Sequence, residues 1–203
     1  MKKNPFPLPT PLELRQLRKL ALLASEATKK GWCPATAGNF SLRGKNGLFW
    51  QSPSGIDKSQ LKATRFVPVG IEDCHLVNPI SKKPSDETPI HAGIYRLKPE
   101  VICISHVHSP HLIRFMQNRE KLIFSNQEIL KAFGGKTHAI TLEPPMIENT
   151  QDMPDVASRL PDLISDQIPI LIIRDHGVYA WGSSVEKTFF YLEALEFLCQ
   201  SSQ

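Results

Sequence analysis

Long apolar runs are missing from this sequence. No stretch of its 203 residues approaches the roughly 20 apolar residues that a membrane-spanning helix needs, and no secretory leader opens it. The expectation is a soluble, cytoplasmic protein with no membrane partner. Cysteine is sparse as well. Cys33, Cys74, Cys103 and Cys199 are widely scattered, and Cys103 sits in an apolar run like a small buried hydrophobe, which argues against a disulfide scaffold and for reduced thiols. Charge of one sign is nowhere concentrated. The 24 basic and 20 acidic residues leave a net +4 without a Lys/Arg block or a basic stripe interleaved with aromatics, so nucleic acid is not expected as a partner and an anionic small molecule fits better. No internal repeat or low-complexity segment stands out. With 41% hydrophobic residues, the chain has the length and composition for one compact domain over residues 1–203.

Local signals divide the chain into alternating elements. Thr10-Pro11-Leu12-Glu13 combines a capping hydroxyl, a proline at the first helical position and a carboxylate three residues after the cap, predicting a helix from Pro11 to Lys30 with Leu14, Leu17, Ala21 and Ala24 on one face. Thr36 to Arg43 and Leu48 to Gln51 read as two strands of a hairpin, followed by the loop Ser52-Pro-Ser-Gly55 and further extended segments at Phe66 to Ile71 and around Leu76. Ser85 to Leu97 has helical spacing, Ser109-Pro110 opens a short helix, and Leu122 to Phe124 suits a strand. Asn126 to Phe133 reads as a helix ended by Gly134-Gly135, and Thr137 to Leu142 as an extended segment. Asp152 to Ser165 is helical but broken by Pro161, and Ile168 to Trp181 contains two strands. Ser183-Ser-Val-Glu186 is a capping box for a last helix that carries Val185, Phe189, Leu192 and Leu195 inward. Phe190 and Phe197 fall elsewhere on it, which implies deep burial or a subunit contact. The order predicts a layered α/β/α domain.

Within that frame three histidines stand out. His106 and His108 follow the apolar run Val101 to Ser105, and the two-residue period of a strand puts both rings on one face. His176, in Arg174-Asp-His-Gly177, follows a second apolar run, Ile168 to Ile173. Two neighbouring buried strands would bring the three imidazoles together as ligands of one metal ion with a fourth position open, as in catalytic zinc sites.

Two carboxylates and three small loops are the remaining candidates. A metal that polarises a carbonyl acidifies the adjacent C–H, and Glu87 or Glu128, each in the first turn of an expected helix, would then move the proton. Gly38-Asn39, Ser54-Gly55 and Ser85-Asp86 combine close backbone approach with hydroxyl and amide donors, a composition suited to an anion. Ser85 would sit where a helix N-terminus points N–H groups outward. Phe40, Phe115 and Met116 are candidate lining for an apolar pocket, and Lys58, Arg65 and His111 candidates for reaching substrate, though core packing and surface solvation are the ordinary roles of such residues.

Taken together, His106-Val-His108, Asp175-His-Gly177, Ala37-Gly-Asn39, Ser52-Pro-Ser-Gly55 and Pro84-Ser-Asp-Glu-Thr88, with His91 and Tyr95, resemble the class II aldolase/adducin family over nearly the whole chain. Asn126-Gln-Glu-Ile-Leu-Lys131, Pro145-Met-Ile-Glu-Asn-Thr150 and Arg174 to Gly182 look most like the members that dehydrate 5-methylthioribulose 1-phosphate to a diketone phosphate in methionine salvage. The resemblance implies a three-layer α/β/α fold with a central, mostly antiparallel sheet. It further implies one Zn2+ per subunit on His106, His108 and His176, and a homotetramer with active sites near subunit interfaces. Glu128 matches the dehydratase acid/base, whereas Glu87 matches the catalytic glutamate of the sugar-phosphate aldolases, so an aldolase or epimerase acting on a ketose phosphate is the alternative. Some dehydratase members carry another residue where Glu87 stands. A non-catalytic adducin-like role is the third reading, disfavoured because all three histidines are retained. Asp86 departs from the aldolases, which commonly have a phosphate-binding serine there; a carboxylate beside a phosphate is repulsive unless turned away.

Overall fold

A computed structural model describes residues 6–78, 82–135 and 137–202. The elements in chain order are α1 (Pro11–Lys29), β1 (Asn39–Arg43), β2 (Leu48–Gln51), β3 (Val67–Gly70), α2 (Thr88–Leu97), β4 (Cys103–Val107), α3 (Pro110–Met116), β5 (Phe124–Ser125), β6 (Thr141–Leu142), β7 (Met146–Ile147), α4 (Met153–Leu163), β8 (Ile170–Ile173), β9 (Gly177–Gly182) and α5 (Val185–Ser201). Seven strands form one sheet in the order β3-β2-β1-β4-β9-β8-β7, antiparallel except for the parallel pair β7 and β8, and β5 with β6 forms a separate two-stranded ribbon. Helices cover both faces. Phe40, Leu42, Cys103, Val107, Ile170, Ile172, Val178 and Ala180 pack with the buried sides of α1, α3 and α5. The alternate residues Phe49, Val69, Ile104, Leu171, Ile173, Tyr179 and Trp181 pack with α2 and α4. The strand period of two thus builds the three-layer α/β/α arrangement with a mostly antiparallel sheet.

Local signals hold at the ends of the chain. The Thr10 hydroxyl accepts from the Glu13 amide, and the Glu13 carboxylate accepts from the Thr10 amide, completing the capping box. Glu13 also accepts from the Lys45 amide and the Trp50 indole, tying α1 to the turn of the first hairpin. In α5, Val185, Phe189, Leu192 and Leu195 are buried, while Phe190 and Phe197 are exposed. Its cap is Ser184, one residue after the Ser183 that opens the predicted box, with its hydroxyl accepting from the Lys187 amide.

Four middle expectations need correction. Residues Glu128–Phe133 form a 3-10 helix rather than an α-helix, stopped by Gly134 in the left-handed region, with only Leu130 buried. An isolated turn of that length lacks the amphipathic face that stabilises an α-helix. Within Thr137 to Leu142, only Thr141–Leu142 is a strand. Helix α4 continues through Pro161, which falls in its last turn. Helix α2 begins at Thr88, so Glu87 is its cap residue, and no side-chain capping bond is made.

Strand register carries the site. Asn39 on β1 lies opposite His106 on β4, and His106 lies opposite Tyr179 on β9, so the three side chains stand in a row on the α2/α4 face. Two glycines permit this closeness. A Cβ on Gly38, whose φ is +76°, would sit 2.8 Å from the His106 carbonyl oxygen, and a Cβ on Gly177 would sit 2.4 Å from that of Val107. Gly177→Ala therefore forces β9 away from β4 and is expected to lower stability by about 1–3 kcal/mol, the usual cost of overpacking. Denaturant unfolding measures this, and an unchanged midpoint contradicts the packing described.

Candidate active site

His106 is fully buried at the end of β4. Its Nδ1 donates to the Val178 carbonyl of β9 at 3.1 Å, which leaves Nε2 as the unprotonated nitrogen and turns it toward His108 Nε2, 3.0 Å away. His108 follows β4 and is held by its amide, which donates to the Trp32 carbonyl. His176 comes from the turn between β8 and β9, where Asp175 adopts a left-handed conformation with φ of +53°. The turn is anchored from outside: Arg174 donates to Glu148 at 2.7 Å and to the Glu120 and Arg119 carbonyls, and the Asp175 amide meets Met116 Sδ. The three rings contact one another edge to face, and one donor atom from each lies within 4.8 Å of the other two.

The donors suit a metal. Burial, only partly offset by the Glu87 carboxylate, lowers His106 to about 4. Burial and then the neighbouring imidazoles bring His108 to about 3. Both rings are therefore neutral at pH 7 and present lone pairs, as metal ligation requires. The buried Nδ1 of His176 has no hydrogen-bond partner. Three imidazoles converging on one point form the donor set of a three-histidine zinc site with an open position.

Glu87 belongs to this cluster, and its placement explains why it caps nothing. Its two carboxylate oxygens lie 3.1 Å from His176 Nε2 and 3.4 Å from His106 Nε2, and it accepts from the Asn39 amide. Burial alone raises its pKa, but the imidazoles of His106 and His176 and the Asn39 bond outweigh that and hold it well below the usual carboxylate range. A single-direction chain of hydrogen bonds lies behind Asn39. Its carbonyl accepts from His91 Nε2, His91 Nδ1 accepts from the Ser41 hydroxyl at 2.7 Å, and Ser41 accepts from the Tyr95 hydroxyl at 2.9 Å. His91 is fully buried, and burial first among its causes lowers it to about 3, so this relay runs through a neutral ring.

A cleft of about 380 Å³ opens above the cluster, lined by Gly38, Asn39, Ser54, Gly55, Ser85, Glu87, His108 and His176. The three histidines, Glu87 and the three small loops thus meet in one place, whereas other candidates lie away from it. Glu128 does not line this cleft; its side chain is 71% exposed and pairs with Lys131. The Asp86 carboxylate reaches the rim but pairs with Lys83 and is itself exposed. Phe40, Phe115 and Met116 are core residues. Arg65 is exposed, and His111 binds Glu196 at 2.6 Å. Lys58, by contrast, is buried against the cleft, whose lining also includes buried Met153 and exposed Thr36 and Gln151. Nothing in the local sequence around Lys58 announces this, because its burial arises from the fold of two separate loops.

Residues 18–202 match the profile of the class II aldolase and adducin N-terminal domain family. The chain belongs to that family. It is similar to the methylthioribulose-1-phosphate dehydratase of Yersinia enterocolitica, at 36% identity over 178 residues, covering 85% of this chain and 83% of the relative. It is also similar to that of Pectobacterium carotovorum, at 34% identity over 194 residues, covering 93% of each. Among class II aldolase structures, an aldolase II superfamily protein from Pseudomonas syringae superposes with a TM-score of 0.79 at 23% identity, covering 95% of this chain and 76% of that one. The L-fuculose-1-phosphate aldolase of Thermus thermophilus superposes at 0.73 with 21% identity, covering 94% and 93%. At those identities the structural likeness establishes the class II aldolase fold alone.

The depressed histidines fix a pH dependence of the metal-free protein. Unfolded histidine titrates near 6.5, and folded His106, His108 and His91 titrate at about 4, 3 and 3, so above pH 6.5 they contribute no pH dependence. As pH falls from about 6.5 toward 4, the unfolded chain takes up protons that the folded chain refuses, and stability is lost. Glu87 works in the same direction at lower pH. Its contribution is present above the unfolded carboxylate pKa and is lost as pH falls through its depressed folded value. Denaturant unfolding at pH 7 and pH 5 should show lower stability at pH 5; equal stabilities contradict the burial of neutral imidazoles.

Proposed function

We propose that this protein is a zinc-dependent hydro-lyase that converts 5-methylthioribulose 1-phosphate to 5-methylthio-2,3-dioxopentyl phosphate and water, a step of methionine salvage. The observation that carries the choice of reaction is the similarity, over more than four-fifths of both chains, to methylthioribulose-1-phosphate dehydratases. The His106, His108 and His176 cluster under a cleft rimmed by small polar loops supports it. One zinc ion per subunit is the reading for the metal, because three imidazoles with an open position match its coordination chemistry.

When bound, zinc supplies Lewis-acid polarisation of the substrate carbonyl, a contribution on the order of several kcal/mol. Hydroxyls and backbone amides of Gly38, Asn39, Ser54, Gly55 and Ser85 hold the phosphate end. Glu128 removes the proton from carbon 3, and the carbon 4 hydroxyl leaves as water after taking up a proton. The resulting enol tautomerises to the diketone. Glu87, ionised and fixed by Asn39, orients the reacting end and takes a secondary part in proton transfer.

Glu128 performs this role in the cleft of a neighbouring protomer. Its exposure, its absence from the lining of its own cleft, and the exposed Phe190 and Phe197 of α5 all support a homotetramer with shared sites. Each chain is one catalytic domain. Four free cysteines support a reducing, cytoplasmic setting, and no described helix is long and apolar enough to cross a membrane.

Glu87 at the histidine cluster favours a second reading, a ketose-phosphate aldolase, in which carbon 3 and carbon 4 are separated. Product analysis distinguishes the two: the proposal expects a diketone phosphate from 5-methylthioribulose 1-phosphate, lost on chelation, whereas an aldehyde product establishes the aldolase. A zinc-loaded protein without turnover on either class of sugar phosphate returns the adducin-like scaffold role. Glu128→Gln is expected to retain zinc and fold while slowing turnover by about 10²–10⁴-fold, the usual contribution of a general acid/base. Near-normal turnover in that variant removes Glu128 from the mechanism.

A further inference from the structure

Lys58 is the one buried lysine among the described residues, with 1% of its surface exposed. It opens a short 3-10 turn after Asp57 and runs inward, lining the cleft together with Thr36, Ser54, Gly55 and Ser85. Its ammonium donates to the Thr36 carbonyl at 2.7 Å and to the Ile56 carbonyl at 2.9 Å. These two bonds fasten the loop before β1 to the loop after β2, the two segments that carry Gly38-Asn39 and Ser54-Gly55. An ammonium has three protons to donate, and two are used.

Its ammonium, however, has no ion-pair partner, and Asp57 and Glu87 act on it only from farther off. No carboxylate among the described residues comes within 4.0 Å of Lys58 Nζ. Asp57, next in sequence, is turned to the Ser59 amide and hydroxyl, and Glu87 is engaged by Asn39 and the imidazoles. Withdrawing an ammonium from water costs several kcal/mol unless an opposite charge compensates, and two neutral carbonyls compensate only in part. A buried cation with no ion-pair partner, on the wall of an open cleft among serine hydroxyls and loop glycines, is suited to bind an anion.

We propose that Lys58 is the charge-bearing ligand of the substrate's phosphate monoester, and that it also holds the two anion-binding loops at the spacing the phosphate needs. The nature of the anion rests on the phosphorylated-ketose reading above; the need for an anion rests on Lys58 itself. The cleft then has two ends. Lys58 with the serine hydroxyls takes the phosphate, and the imidazoles with Glu87 face the reacting carbons, so charge fixes which way round the substrate enters.

Inorganic phosphate is the probe, titrated by calorimetry into the wild-type protein, Lys58→Met and Lys58→Arg, with zinc content and circular dichroism measured on each. Lys58→Met is expected to keep its zinc and secondary structure while weakening phosphate binding about tenfold or more, with Lys58→Arg recovering part of the loss, because a charge-assisted bond is removed and then partly restored. In kinetics, the KM for the sugar phosphate rises more than kcat falls. Phosphate binding in Lys58→Met within about twofold of wild type overturns the proposal, as does a wild-type protein that binds no phosphate. Should Lys58→Met fail to fold, the wild-type protein decides: its Lys58 ammonium nitrogen resonance must move on saturation with phosphate, and an unmoved resonance overturns the assignment. Phosphate binding lost in Lys58→Met stands even if 5-methylthioribulose 1-phosphate is not turned over, so failure of the function and failure of this site are told apart.

Discussion

The antiparallel pairing of β4 with β9 is the constraint on which the site depends. It places the Val178 carbonyl where His106 Nδ1 must donate to it, and that single bond selects the tautomer and aims Nε2 at His108. The same pairing brings the β8–β9 turn beside the end of β4, so that His176 arrives from a position far off in sequence. Close approach is possible because Gly177 offers no Cβ to the Val107 carbonyl. A neutral, buried, correctly protonated histidine is therefore a consequence of sheet register, and the electrostatics follow from the packing.

Around that centre, negative charge is admitted at one point and positive charge at another. Glu87 accepts from Asn39, which is fixed by its place opposite His106 and by the bond it accepts from His91, itself held by Ser41 and Tyr95. Such a fully satisfied buried network is rigid, and it gives Asn39 a task beyond the anion loop to which it also belongs. Lys58 lines the same cleft, bonded to two loop carbonyls and to no carboxylate. The two carboxylates weighed for proton transfer consequently differ in kind. Glu87 is built into the cleft, whereas Glu128 is exposed on a short 3-10 turn and paired with Lys131.

Much of this was legible in the sequence because it depends on short periods. The strand period of two put His106 and His108 on one face, the order of helices and strands foretold a sheet covered on both sides, and the Thr10 to Glu13 capping box fixed the start of α1. What escaped depends on contacts between distant segments. Lys58 looked like a solvated surface lysine, since only the meeting of the Thr36 and Ile56 carbonyls buries it. Glu87 looked like a residue of the first helical turn, favoured there by the macrodipole, until Asn39 and two imidazoles claimed its carboxylate. The segment after Asn126 had helical spacing but too little apolar surface to hold an α-helix, so propensity was a poor guide where tertiary packing was thin.

Convergence of His106, His108 and His176 on one ion is the central claim, and anomalous diffraction from zinc-soaked crystals at the metal's absorption edge tests it most directly. One strong peak per chain is predicted, bonded by a nitrogen of all three imidazoles at about 2.0–2.1 Å with a further position free for an oxygen ligand. A peak lacking any one of the three histidines, or no peak between β4 and the β8–β9 turn, contradicts it.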